Sequence, residues 1–205
     1  MNQLKFIPSG AFATPKLQEL RLSINKITTI PSGAFANVPK LQKLHLYYNQ
    51  ITTIHSGAFE NLPQLQSLWL NNNQITTIPF GALANLPGLQ ELDLENNQIT
   101  TTHSGAFGNL PKLPKLQTLL LHDNQITTIP FVALANLPEL QYLYLDNNQI
   151  TTTHSVAFGN LPQLQELHLH YNQLEFIPSG AFANLPKLET LWLHHNQITN
   201  IPSDF

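Results

Sequence analysis

One nine-residue pattern, LxxLxLxxN, recurs along this chain and restricts its fold more than any other feature. It ends on an asparagine each time, at Asn25, Asn49, Asn73, Asn97, Asn124, Asn148, Asn172 and Asn196. Successive asparagines are 24 residues apart, except for a step of 27 residues between Asn97 and Asn124. A constant period in this range is typical of a solenoid, in which one structural unit stacks on copies of itself.

The pattern predicts a short, half-buried strand in each repeat. Leu68 and Leu70 are two residues apart, so in an extended strand both point to the core while Trp69 between them points outward. The asparagine that follows, Asn73, can satisfy backbone groups where the chain turns, so we expect a hydrogen-bonded asparagine ladder along the core. A proline recurs in the rest of each repeat and disfavours a regular helix there.

These residues, together with the downstream pattern IPxxAFxxLPxL seen at residues 30–39, resemble the leucine-rich repeat family in its 24-residue extracellular form. Within that family the chain is similar to variable lymphocyte receptors, lancelet recognition proteins and Toll-like receptor ectodomains. The resemblance implies an α/β-type solenoid, a horseshoe with a concave parallel β-sheet and short turns or 3₁₀ pieces on its convex side. It also implies a phenylalanine spine, formed by Phe12, Phe35, Phe59, Phe107, Phe158 and Phe182, with Leu83 and Leu134 replacing phenylalanine in two repeats.

We expect one leucine-rich repeat domain over residues 1–205. Residues 1–16 form a partial first repeat, residues 17–200 form eight repeats, and residues 201–205 belong to a truncated last repeat. The chain contains no cysteine, so the cysteine-rich caps usual in this family are absent. Uncapped ends expose apolar core and favour self-association. An extracellular or secreted location is implied by the resemblance alone, since no signal peptide is recognisable in the sequence.

Composition and motifs argue against several functions. Only 10% of the residues are charged and the formal net charge is −3, so we expect no nucleic-acid partner. No apolar run is long enough for membrane insertion. No cofactor motif occurs. Glu91, Asp93 and Glu95 share one strand face, but we expect an open sheet not to shift their pKa values, and we therefore predict that the protein is not an enzyme.

Two nearly identical blocks, residues 73–111 and 124–162, show where the sequence varies. Residues 73–87 and 97–111 of the first block differ from their counterparts in the second block at two of thirty positions. Of eight outward strand positions compared between equivalent repeats, six differ. All five tyrosines and both tryptophans occupy outward strand positions, and none of the eleven phenylalanines does. Tyrosine and tryptophan dominate binding hot spots, although aromatic residues also suit strands in general.

We therefore predict a recognition module, similar to innate immune receptors, that binds a protein or a glycan, microbial surface glycans included, on its concave face. A structural or adhesive matrix-type repeat, or an engineered consensus scaffold without a natural ligand, is the alternative. The predicted ligand-binding residues are Arg21, His45, Tyr47, Tyr48, Trp69, Asn71, Asp93, Glu95, His122, Tyr142, Tyr144, Asp146, His168, His170, Tyr171, Trp192, His194 and His195.

Four of these residues, His122, Asp146, His170 and His194, fall in one column on successive strands. Imidazole with carboxylate is a ligand set for zinc or copper, but strands about 4.8 Å apart let only adjacent pairs share an ion. A solvated polar face is the simpler interpretation, so we predict no metal site and keep this column as the alternative. The same imidazoles would make ligand binding depend on pH as they become cationic towards pH 6.

Overall fold

The computed structural model describes residues 2–79, 81–83, 85–100, 113–129, 134, 137–154, 158 and 161–203. Its regular elements are short strands. They are β1 (Glu19–Arg21), β2 (Thr29–Ile30), β3 (Lys43–His45), β4 (Thr53–Ile54), β5 (Ser67–Trp69), β6 (Glu91–Asp93), β7 (Thr118–Leu120), β8 (Tyr142–Tyr144), β9 (Glu166–His168) and β10 (Thr190–Trp192).

Eight of the strands form one parallel sheet in the order β1-β3-β5-β6-β7-β8-β9-β10. Equivalent residues of successive repeats pair, as Leu20 does with Leu44. The 27-residue step keeps the same register, since Leu92 pairs with Leu119. β2 and β4 form a second, two-stranded parallel sheet. The chain is a parallel β-solenoid.

The core lies between the sheet and the turns. The middle leucine of each inner strand is fully buried, as at Leu44, Leu68 and Leu92. Single turns follow, closed by bonds such as that from the Val38 amide to the Phe35 carbonyl (3.3 Å). The helical component expected of an α/β-type solenoid is almost absent from the described chain. Prolines in each turn segment, which cannot donate a backbone hydrogen bond, are the physical reason.

The predicted asparagine ladder is confirmed. Asn97 donates from Nδ2 to the Leu94 carbonyl of its own repeat and to the Leu70 carbonyl of the preceding one, both at 3.1 Å. Its Oδ1 accepts a bond from the Ile75 amide at 3.0 Å. The same three kinds of bond recur from Asn49 to Asn196. Each asparagine therefore joins two repeats while it satisfies backbone groups inside the core.

The predicted phenylalanine spine is present wherever its members are described. The rings of Phe12, Phe35 and Phe59 stack with centroids 6.0 Å apart, and those of Phe158 and Phe182 stack at 5.5 Å. Two leucines, Leu83 and Leu134, are buried at the substituted positions, and Phe107 lies outside the described residues. The described residues contain no helix long and apolar enough to cross a membrane.

Candidate functional site

The outward side of the eight-stranded sheet, called the sheet face below, brings the predicted site residues onto one surface. Strand register places its first column in the order Arg21, His45, Trp69, Asp93, Leu120, Tyr144, His168 and Trp192. The second column, two residues further along each strand, is Ser23, Tyr47, Asn71, Glu95, His122, Asp146, His170 and His194. The third column is Ile24, Tyr48, Asn72, Asn96, Asp123, Asn147, Tyr171 and His195.

A first group of rings, the N-terminal ring cluster, consists of His45, Tyr47, Tyr48 and Trp69. The His45 and Trp69 rings contact each other edge to face, and their centroids lie 4.3 Å apart. Tyr47 contacts Trp69 at 6.4 Å and Tyr48 at 5.9 Å. Tyr48 is 57% exposed. Tyr48 is therefore the exposed ring of this cluster, and Tyr47 joins it to the other two.

Two charged residues lie beside that cluster. Arg21 Nε donates to Glu19 Oε1 at 2.6 Å, and this bond holds the pKa of the Glu19 carboxyl below its ordinary value. His45 Nε2 lies 3.1 Å from the same oxygen without hydrogen-bond geometry. Burial lowers the pKa of His45, so its neutral form is favoured. Arg21 and Lys43, rather than His45, therefore carry the positive charge at this end of the sheet face.

The middle of the sheet face is acidic and less open than the sequence indicates. Asp93 is only 9% exposed, between Trp69 and Leu120 on the neighbouring strands. Burial raises its pKa to about 6, although the Glu95 amide donates to Oδ1 at 3.0 Å. For Asp93, the expectation that an open sheet leaves the carboxyl pKa unshifted is wrong, because neighbouring side chains bury the carboxyl. Asn71, beside Glu95 in the second column, is half-buried.

The C-terminal ring cluster covers the last strands of the sheet face. The His168 ring lies between those of Tyr144 and Trp192, nearly parallel to both, with centroid distances of 4.1 and 4.2 Å. Two further stacked pairs lie beside them, one between His170 and His194 at 4.5 Å and one between Tyr171 and His195 at 4.3 Å. His122 joins at the edge, 6.1 Å from Tyr144. Three parallel stacks thus run across neighbouring strands.

One acidic residue of this cluster is absent from the predicted site. Glu166 Oε2 accepts a hydrogen bond from the Tyr144 hydroxyl at 3.0 Å and lies 3.6 Å from His168 Nε2. Burial, and then this bond, raise the pKa of Tyr144 to about 12. Glu19 is a second omission. Both residues stand at the first outward position of their strands, as the predicted Tyr142 does, so strand alternation could have found them.

The four residues of the second column considered as metal ligands, His122, Asp146, His170 and His194, do not face one common point. His170 Nε2 lies 3.6 Å from Asp146 Oδ2. His122 Nε2 instead faces Glu95 Oε1 at 3.4 Å, and His194 stacks on the ring of His170. His168, from the first column, places Nδ1 4.0 Å from Asp146 Oδ1. Asp146, His168 and His170 therefore gather together, whereas the four residues of the column do not.

The third column adopts a backbone conformation that the sequence reasoning missed. All eight of its residues have positive φ, from 49° to 58°. Asparagine and aspartate tolerate this left-handed region better than other side chains, and they occupy half of the column. That recurrence of Asn and Asp before the ladder asparagine was the available signal. Ile24, Tyr48, Tyr171 and His195 occupy the same conformation without that preference.

The leucine rich repeat family matches the chain from end to end. Its repeat description matches residues 1–51, 15–75, 63–117, 89–150 and 114–174, and a two-copy description matches residues 162–205. A solved structure of an LRR protein from Leptospira interrogans is similar, with a TM-score of 0.81 and 32% identity. The match covers 93% of this chain and 46% of that one, so this chain spans about half the length of that relative. No curated protein matches the sequence.

Proposed function

Since this chain belongs to the leucine-rich repeat family, we propose that its sheet face is a recognition surface for another protein. Leucine-rich repeat chains are typical protein-interaction scaffolds and are generally not enzymes. The observation that carries the proposal is the placement of all five tyrosines and both tryptophans on this one face. In the horseshoe implied by the family resemblance, the face would be concave.

Backbone strain at two exposed rings supports this proposal. Tyr48 and Tyr171 both have a φ of 52°, in a region that disfavours bulky side chains, and they are 57% and 48% exposed. A side chain that gains little from burial and strains its backbone does not increase the folding stability. Strain of this kind concentrates at functional sites. Both tyrosines are therefore proposed as contacts with the partner.

Ring geometry favours a protein ligand over a glycan. Sugars bind aromatic rings through the ring face, but both faces of His168 are covered by Tyr144 and Trp192. Trp192, at 44% exposure, is the most exposed ring of this stack. Tyrosine and tryptophan offer large rigid contact areas with a polar group, which suits protein epitopes. Binding of a microbial surface glycan is the outcome that would replace this proposal.

The biological setting follows from resemblance alone. We propose that the chain acts in extracellular recognition, in the manner of variable lymphocyte receptors or Toll-like ectodomains. The near-identity of residues 73–111 and 124–162 favours a second candidate, a structural or adhesive repeat or an engineered scaffold without a natural ligand. Self-association through the end repeats is a further proposal, and concentration-dependent light scattering would test it.

Alanine substitutions separate recognition from scaffolding. The protein is first screened against secreted proteins, glycans and bacterial surfaces, and the captured ligand is then titrated against Trp69→Ala, Tyr144→Ala and Trp192→Ala. We expect at least one substitution to weaken binding by about 2 kcal/mol, as hot-spot residues do, with an unchanged melting temperature. Lowered stability with unchanged ligand affinity would support the scaffold candidate.

A matched control comes from an exposed ring outside the sheet face. Phe176 is 49% exposed and occupies the position of its repeat that corresponds to Thr29 and Thr53 of the small second sheet. Phe176→Ala should leave ligand affinity unchanged. Equal losses from Phe176→Ala and Trp192→Ala would show that the partner does not select the sheet face, and would contradict the proposal.

A further inference from the structure

Asp146, His168 and His170 form a compact group of metal-binding side chains at the base of the C-terminal ring cluster. One donor atom from each residue lies within 4.8 Å of the other two. His170 Nε2 is 3.6 Å from Asp146 Oδ2, and His168 Nδ1 is 4.0 Å from Asp146 Oδ1. All three residues are buried, with exposures of 7% to 8%. Neither His–Asp distance is a hydrogen bond.

We propose that these three residues bind one divalent transition-metal ion of the zinc type. Two imidazole nitrogens and one carboxylate oxygen are a common set for zinc, with a fourth position left to water. Tetrahedral bonds of about 2.0–2.1 Å place donor atoms roughly 3.3 Å apart. The two His–Asp distances, 3.6 and 4.0 Å to different Asp146 oxygens, are longer than this, and all three donor atoms lie within 4.8 Å of one another, so side-chain rotations would have to bring them onto one ion.

The neighbours hold the three side chains in the orientation that a metal ion requires. His168 is fixed between the rings of Tyr144 and Trp192, and its other nitrogen, Nε2, lies 3.6 Å from the Glu166 carboxylate. A carboxylate on the far side of a metal-binding histidine is a recurrent arrangement, and at 3.6 Å Glu166 contacts His168 Nε2 without a hydrogen bond. Asn147 Nδ2 donates to Asp146 Oδ2 at 3.1 Å and orients that carboxylate.

The polar groups of this site are incompletely satisfied by the described residues. Buried His168 Nε2 and His170 Nδ1 have no hydrogen-bond partner among them. Both rings are buried together with Asp146, and the nitrogens that face its carboxylate are His168 Nδ1 and His170 Nε2. A divalent cation bound to these facing atoms would balance the carboxylate charge and leave His168 Nε2 and His170 Nδ1 as the protonated ring nitrogens.

The equivalent strands two repeats earlier, the second of which follows the first duplicated block, provide an internal control. Glu95, Leu120 and His122 occupy the positions that correspond to Asp146, His168 and His170. His122 Nε2 lies 3.4 Å from Glu95 Oε1, so the acid–imidazole pair is kept, but a leucine replaces the second imidazole. Asp123 completes that group from an exposed position. We expect this group to bind zinc more weakly, since it offers one nitrogen ligand instead of two.

Calorimetric titration of the tag-free full chain with Zn²⁺ tests the proposal. We expect saturable binding of one ion, and visible absorption typical of tetrahedral coordination when Co²⁺ replaces Zn²⁺. His168→Leu, which copies the equivalent earlier strand, and His170→Gln should each weaken binding at least about tenfold. Glu95→Gln and His122→Gln, on the equivalent earlier strands, should leave the tight site unchanged.

Two results would overturn the proposal. One is the absence of saturable Zn²⁺ binding by the native chain, and the other is an affinity that is unchanged in both His168→Leu and His170→Gln. Circular dichroism checks folding, and leucine is already accommodated at the corresponding Leu120. Should His168→Leu nevertheless unfold, His170→Gln decides alone. The proposal stands independently of the protein-recognition proposal, because its measurement uses the metal ion and no ligand.

Discussion

Asp93 shows how side chains on neighbouring strands change the chemistry of a single carboxylate. The residue stands at an outward strand position, yet it is 9% exposed and its pKa is raised to about 6 by burial. The charged form is therefore less stable in the folded chain than in the unfolded chain. Protonated Asp93 therefore contributes to folding stability. This contribution is fully present below about pH 4 and is lost as the pH rises through about 6.

Asp93→Asn should stabilise the protein at pH 7.5 and have little effect at pH 4. A pKa of about 6 against an ordinary 3.8 corresponds to a gain of about 3 kcal/mol in unfolding free energy. The side-chain oxygen of asparagine can still accept the bond from the Glu95 amide. Urea unfolding of both proteins at the two pH values measures the difference. Glu91→Gln, on the same strand but less buried, is the control.

Ile24 is the side chain least suited to the left-handed conformation of the third column. It is β-branched, has φ of 58° and is 52% exposed, so it gains little from burial. Ile24→Asn should raise unfolding free energy by roughly 1 kcal/mol, because asparagine tolerates this conformation. Thermal unfolding measures the effect. Ile201→Asn, at a similarly exposed isoleucine (54%), should give no such gain, and equal gains would contradict the explanation.

For single residues, the sequence predicts which side of a strand a side chain points to better than it predicts how buried that side chain is. Alternation along a strand correctly turns Trp69 and Tyr144 away from the leucine core. It does not predict that Asp93 and His168 are buried on the sheet face, because their burial comes from rings on adjacent strands. The side chains that a ring covers depend on the rotamers of residues on three adjacent strands. Pairwise contacts such as that of Tyr144 with Glu166 are outside what the repeat pattern contains.

The asparagine ladder is the element that joins successive repeats, and its contribution should depend on burial. Asn97→Ala removes the acceptor of the Ile75 amide and the donor to the Leu70 and Leu94 carbonyls. Leaving these buried groups unpaired should lower unfolding free energy by about 3 kcal/mol. Asn196→Ala breaks the same kinds of bond in a half-exposed repeat, where water can replace them. Urea unfolding should show a clearly smaller loss for Asn196→Ala.

Elements are predicted well wherever one residue type has one structural role. The leucines and asparagines of LxxLxLxxN predict the strands, their register and the ladder, including the pairing of Leu92 with Leu119 across the longer step. The segments between strands are predicted less well. A helix and a series of single turns can bury the same apolar residues, so the apolar pattern does not distinguish them. The α/β-type solenoid was expected from the family resemblance instead. The recurring prolines were the better guide to local structure.

The whole molecule is a one-dimensional stack, so its stability should vary along its length. Among the described strands of the large sheet, each inner strand pairs with two neighbours, whereas β1 pairs only with β3 and β10 only with β9. The middle leucines differ accordingly, since Leu92 and Leu119 are fully buried and Leu20 and Leu191 are partly buried. In repeat proteins, local stability is approximately a sum of repeat and interface contributions. Repeats with one interface should therefore open most readily.

Hydrogen exchange measured by mass spectrometry should reveal this gradient. We expect amides of β1 and β10 to exchange first and amides of β5 to β8 to be protected longest, because end repeats open without disrupting the middle. Asn97→Ala supplies a directed control. It removes bonds between two inner repeats and should lower protection around β5 and β6 more than at β9. Equal protection in all eight strands would instead indicate all-or-none unfolding and contradict a sum over repeats.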